Sequence, residues 1–171
     1  MIRGFICVGT FILLFCFMPQ TALSQFSGGK LGINGLTCSQ CSRSVEMALR
    51  QLKFLENITM NLERTECTFT VKESHDFSVF AIRDAVRQAG FSLRFLNLQL
   101  TEAPPDSPPC FRSNNVVYHL TDDAGTFNLS RPYQVLAAGF VPARELKNMV
   151  LNDSGACKGR QTVFLRPAAR G

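Results

Sequence analysis

The chain has no tryptophan and only two histidines among 171 residues, and its charged residues amount to 18% of the whole. His75 and His119 stand far apart and no second pair of closely spaced cysteines occurs, so a four-ligand structural zinc site lacks half its ligands. No run of Lys or Arg appears. The formal charge of +5 is spread thinly along the sequence, which leaves neither a nucleic-acid patch nor a lipid-headgroup patch. No clear combination of nucleophile, base and orienting group is present either, and no enzymatic activity is expected.

What is present begins at the N-terminus. Arg3 gives a positive start, Gly4 to Met18 is an almost unbroken apolar run, and Ala22-Leu23-Ser24 supplies small residues for cleavage, so residues 1–25 read as a signal peptide. The apolar run is shorter than the roughly 20 residues a spanning helix needs, which favours cleavage over an uncleaved membrane anchor. The expectation is an exported protein, periplasmic or secreted, with no membrane span after cleavage. Removal takes Cys7 and Cys16 and leaves five of the seven cysteines. Five is an odd number, so at least one thiol should be free or metal-bound unless the protein pairs with another molecule.

Two of the five lie in Gly35-Leu36-Thr37-Cys38-Ser39-Gln40-Cys41, between a strand-like run and an amphipathic helix pattern. Two cysteines separated by two residues at a helix start can converge on one ion, and the helix N-terminus favours their thiolate forms. A C-x-x-C alone leaves three readings open: half a zinc site, a redox dithiol, or a two-coordinate soft-metal site. Ser39 and Gln40 between the cysteines, in place of aromatic and proline neighbours, argue against a thioredoxin-like motif and leave redox chemistry as the alternative.

The flanking pattern is periodic. Leu31 and Ile33 alternate within a short strand from Lys30 to Asn34. Val45, Ala48, Leu49 and Leu52 then recur at helical spacing. Ile58, Met60 and Leu62 alternate, Glu63 to Thr65 turn the chain, and Cys67, Phe69 and Val71 alternate again, which reads as a hairpin. Val79, Ile82, Val86 and Ala89 mark a second helix that Gly90 can end in a left-handed cap. Phe91, Leu93, Phe95, Leu96, Leu98 and Leu100 make a last strand. The order β-α-β-β-α-β over about 70 residues is the ferredoxin-like unit, an antiparallel sheet with both helices on one face.

Residues 30–100 resemble the heavy-metal-associated domain family of copper chaperones, metal-transport ATPase modules and mercury-binding proteins. Gly35 to Cys41 correspond to its G-M-T-C-x-x-C loop, Ile58-Thr59-Met60-Asn61-Leu62 to its second strand, and Asp84-Ala85-Val86 with Ala89-Gly90-Phe91 to its second helix and final loop. Leu36 stands where the family has methionine, a volume-conserving change at a side chain that packs under the loop. The resemblance implies that Cys38 and Cys41 hold the metal, with Leu36, Thr37 and Phe91 around them. It also implies transfer by ligand exchange to a metal transporter or a metal-accepting envelope protein. Two thiolates suit copper(I) best, with zinc or mercury as alternatives. Cys67 shares a face with Phe69 and Val71 and reads as a buried thiol. His75 falls at the opposite end of the sheet from the loop.

The domain organisation expected is therefore a heavy-metal-associated-like domain at 29–101, a proline-rich linker at 102–109, and a C-terminal module at 110–171. The module carries candidate strands at Val116–Leu120, Tyr133–Ala137 and Thr162–Leu165 and a helix at Ala143–Leu151, giving an α+β or mostly β piece. Cys110 and Cys157 bracket it, and a disulfide between them would staple so small a core. A second metal site built from His119 and those cysteines is the lesser reading. The chain as a whole is expected to sequester or transfer a soft metal ion through Cys38 and Cys41. The competing expectation is a thiol-disulfide oxidoreductase using the same pair.

Overall fold

In a computed structural model of the chain, residues 24–73, 76–101, 110–121, 128–152 and 161–169 are described. All but the last two residues of the expected signal peptide at 1–25, and the whole linker at 102–109, lie outside the described residues, as do His75 and Cys157. Among the described residues no helix is long and apolar enough to cross a membrane.

The first half follows the expected order. Strand β1 is Phe26–Asn34, helix α1 Ser39–Arg50, β2 Leu55–Asn61, β3 Glu66–Val71, helix α2 Val79–Gln88 and β4 Ser92–Leu100. These strands pair antiparallel in the spatial order β2-β3-β1-β4, so this half is the α+β ferredoxin-like unit. Helix α1 buries Ser42, Val45 and Leu49, and α2 buries Val79, Ile82, Ala85 and Val86. The two apolar stripes pack against each other and cover one face of the sheet, because Leu31, Ile33, Cys67, Leu96 and Leu98 offer an apolar floor there. Each Leu or Ile so buried contributes about 1.5–3 kcal/mol relative to exposure.

Three details depart from simple alternation. Strand β1 starts at Phe26, four residues before the apolar alternation, because Gly28 and Gly29 carry no strand signal of their own yet pair with both β3 and β4. Asn57, at a positive φ of 50°, sits where the β2–β3 register slips. Leu62 is consequently past the end of β2 and 41% exposed in the turn, where the alternation had placed it in line with the half-buried Met60. The β1–β4 register slips between Ile33–Leu93 and Gly32–Phe95. That bulge explains how Leu93 and Leu96 both face the core while Phe95 turns to the open face.

The second half extends the same sheet. Strands β5 Cys110–Ser113, β6 Val116–Leu120, β7 Tyr133–Leu136 and β8 Gln161–Pro167, with helix α3 Ala143–Asn152, continue the order to β2-β3-β1-β4-β7-β8-β6-β5. Three strands and the helix fall where periodicity placed them; β5, four residues long, has too few residues to show a period. Tyr133 and Gln134 of β7 join Leu98 and Asn97 of β4. Although three strands separate β1 from β6, the rings of Phe26 and Tyr118 lie 5.1 Å apart. Four steps across a flat sheet would span about 19 Å, so the sheet curls until its two halves share one aromatic cluster. Phe26 also meets Phe77 at 4.9 Å and Phe111 at 6.1 Å, and Phe54 meets Phe77 at 5.5 Å.

Candidate metal-binding loop

Gly35 turns the chain out of β1 at a φ of +80°, a region L side chains rarely adopt. Leu36, 2% exposed, then drops into the core and anchors the loop from below. Thr37 and Cys38 stay at the surface, and Cys41 is half-buried against the core cluster. Cys38 is the N-cap of α1: its backbone is extended, its Sγ accepts the Cys41 amide N–H at 3.1 Å, and its carbonyl accepts from the Ser42 amide at 3.0 Å. A sulfur in this position faces the unsatisfied N–H groups of a helix start, which stabilise negative charge. No acidic residue occupies the first turn of α1 to oppose that effect.

Cys38 and Cys41 are joined as a disulfide, with their Cα atoms 5.2 Å apart. The loop geometry thus brings both sulfurs to one point on the surface. Reduced, the same backbone presents two thiols on one turn, close enough to share a single ion, and nothing covers Cys38. The set is a two-sulfur one. Among the described residues no cluster of three or more His, Cys, Asp or Glu side chains forms a metal site.

Three segments meet at this end of the sheet. The Ile33 amide donates to the Thr65 carbonyl at 3.0 Å, tying the β2–β3 turn to the end of β1. Asn34 lies opposite Ser92 and donates from Nδ2 to its Oγ at 3.3 Å. Gly90, at φ +89°, ends α2: the Phe91 amide reaches back to the Val86 carbonyl at 3.1 Å and the Gly90 amide to Arg87 at 2.9 Å, a Schellman closure. It delivers the half-buried Phe91 to the loop, its Cδ1 lying 3.9 Å from where a Cβ on Gly35 would stand.

Cys67 is the contrasting thiol. It is fully buried on β3, in one cross-strand row with Leu31 and Met60, and it is a free cysteine. Burial pushes its thiol up to about 12, with the Glu46 carboxylate adding to the rise and Arg50 opposing it. A thiol held protonated is a poor nucleophile and a poor ligand. In the second half, Cys110 is disulfide-bonded and sits opposite His119 across β5 and β6.

Two residues escaped the sequence pattern. Ser42, buried beneath the start of α1, looks like any polar helix residue in a linear reading. Arg94 donates from Nη2 to the Arg64 carbonyl at 3.1 Å and braces the turn beside the loop. That contact depends on the β4 bulge, for which the sequence has no marker.

The heavy-metal-associated domain model matches residues 31–92. Copper-transporting ATPase 1 of Rhizobium meliloti is 32% identical over 88 residues, which is 52% of this chain and 10% of that protein. The chain therefore spans about a tenth of the length of this curated relative. Among solved structures, the yeast copper transporter domain Ccc2a is 25% identical over 39% of this chain and 90% of its own, with a TM-score of 0.36. Oxidised MerP from Ralstonia metallidurans is 22% identical over 42% of this chain and 94% of its own, with a TM-score of 0.37. The stretch from β1 to the start of β4, with the Cys38–Cys41 loop inside it, is accordingly a heavy-metal-associated domain at residues 31–92.

Proposed function

We propose that the protein is an exported, non-enzymatic metal carrier that sequesters a soft metal ion, copper(I) in preference to zinc or mercury, and hands it to a metal transporter or a metal-accepting envelope protein. The observation that carries this reading is the convergence of Cys38 and Cys41 at the exposed N-terminus of α1. Two thiolates with no third protein ligand beside them among the described residues favour a monovalent soft ion that accepts low coordination. The open side of the site lets an incoming thiolate from an acceptor bind before a donor thiolate leaves, so the ion passes by exchange. The domain match and the relation to a copper-transporting ATPase support the same reading.

Because the two sulfurs are bonded to each other in the structure, reduction must precede binding. Opening the disulfide takes two electrons once, from a thiol donor that is itself oxidised to a disulfide; exchange of the ion to an acceptor then leaves both sulfurs as thiolates, and further electrons are needed only when an oxidising compartment re-forms the bond. The same bond favours one second reading, a thiol-disulfide oxidoreductase in which the pair cycles. Anaerobic titration of the reduced protein with copper(I) against a competing chelator tests the first. One ion per chain, lost in Cys38→Ser plus Cys41→Ser, supports it; unchanged stoichiometry and affinity in that variant overturns it. Insulin reduction abolished by either single substitution would promote the second.

A further inference from the structure

The face of the sheet not covered by α1 and α2 carries a groove of about 620 Å³, within the size range of small-molecule sites. From β1 it is lined by Gly29 and Lys30. Lys30 is flanked on this face by Gly28 and Gly32, so a single long side chain stands between two positions without any. Phe95 lies across Gly32, its ring occupying the space a Cβ would need. Pro132 and Ala169, from the second half of the chain, supply the far wall.

Cross-strand register sorts the floor into rows. Thr68, Lys30 and Asn97 are direct partners across β3, β1 and β4, so their side chains share this face. Glu66 lies in the next row and is occupied: Lys30 Nζ is 3.4 Å and Arg94 Nη2 3.9 Å from its carboxylate. Arg64 also lines the groove. Among the described residues its guanidinium forms no ion pair or hydrogen bond, and neither the Asn97 amide nor the Thr68 hydroxyl is engaged. The groove is thus lined by two cations, Lys30 and Arg64, against one carboxylate that already has two cationic partners, and the free donors of Arg64, Thr68 and Asn97 come from the β2–β3 turn, β3 and β4.

We propose that this groove binds a small organic polycarboxylate, held by Arg64 and Lys30 through charge and by Thr68 and Asn97 through hydrogen bonds. The guanidinium fork matches a carboxylate bidentately, and the amide and hydroxyl satisfy the remaining oxygens. The ligand sits on the sheet face opposite the helices, so its binding is independent of the cysteine pair.

The test uses citrate as the probe and the full metal-free chain, followed by backbone amide NMR shifts. Saturable shifts at Arg64, Thr68 and Asn97 are expected, weakened about tenfold in Arg64→Ala and in Asn97→Ala and weakened further by salt. Thermal melts of both variants check that they remain folded; Thr68→Ser retains binding. Cys38→Ser plus Cys41→Ser leaves citrate binding intact, which separates this site from the metal loop. Absence of saturation, equal saturation by inorganic phosphate or by neutral glucose, or unchanged affinity in folded Arg64→Ala and Asn97→Ala each overturns the proposal.

Discussion

The two ends of the ferredoxin-like half are built for different purposes. At one end the Gly35–Cys41 loop, the β2–β3 turn and Gly90–Phe91 meet, and the sulfur of Cys38 stands at the surface. At the other, Phe26, Phe54 and Phe77 pack with Phe111 and Tyr118 across the curl of the sheet, and Phe26 and Tyr118 are at most 1% exposed. The loop end owes its chemistry to geometry: a left-handed glycine, a buried Leu36 and a helix start. The base owes its strength to area and close packing. Stability and reactivity are thus separated along the strands, and substitutions at one end should leave the other largely intact.

The largest expected effect is at the base. Phe26→Ala removes a ring that touches three others and should cost about 3–5 kcal/mol, read as a lower midpoint in urea denaturation. Below that midpoint the reduced variant should still bind one copper(I) ion; loss of binding in the folded variant would break the separation. The next effect is at the loop. Cys38→Ser plus Cys41→Ser should lower copper(I) affinity at least a hundredfold, about 2.7 kcal/mol, while the urea midpoint of the reduced proteins differs little. Gly35→Ala comes third. Nothing closer than 3.9 Å opposes its Cβ, so the cost is the backbone conformation alone, about 1–2 kcal/mol, with a smaller loss of metal affinity than in the serine pair.

The contrast also accounts for how far the sequence could be read. The loop end is local: Gly35 to Cys41 and Ala89 to Phe91 are contiguous runs, and their turn glycines, cap and apolar periods appear within short windows, so the β-α-β-β-α-β order and the cysteine pair were legible. The base is not local. Phe26, Phe77, Phe111 and Tyr118 come from four segments, and nothing in the alternation of β5 or β6 announces that they fold over β1. Continuity of the sheet through β4 and β7 rests on two residue pairs, Asn97–Gln134 and Leu98–Tyr133, too few to leave a pattern. The groove was not legible: the alternation of Leu31 and Ile33 marked only the buried face of β1, and glycines read as breaks in a strand until their partners are known. For Cys67, alternation with Phe69 and Val71 pointed correctly to burial.

That buried thiol supplies the smallest effect at neutral pH and a distinct one at alkaline pH. Desolvation raises Cys67 from 9.0 to about 12, reinforced by Glu46 and opposed by Arg50 and the Thr59 backbone hydrogen bond. The folded state therefore keeps a proton that the unfolded chain releases. The resulting stabilisation is complete below pH 9 and is lost as pH rises toward 12. Burial raises Tyr118 as well, so part of the alkaline decline belongs to the aromatic base. In a background with Cys38 and Cys41 replaced by serine, which removes exchange with the loop disulfide, Cys67→Ala should show a shallower fall in melting temperature above pH 9 than its parent. Equal slopes would mean that Cys67 ionises without unfolding the chain, and the difference between an exposed reactive pair and an inert buried thiol would then be smaller than their burial implies.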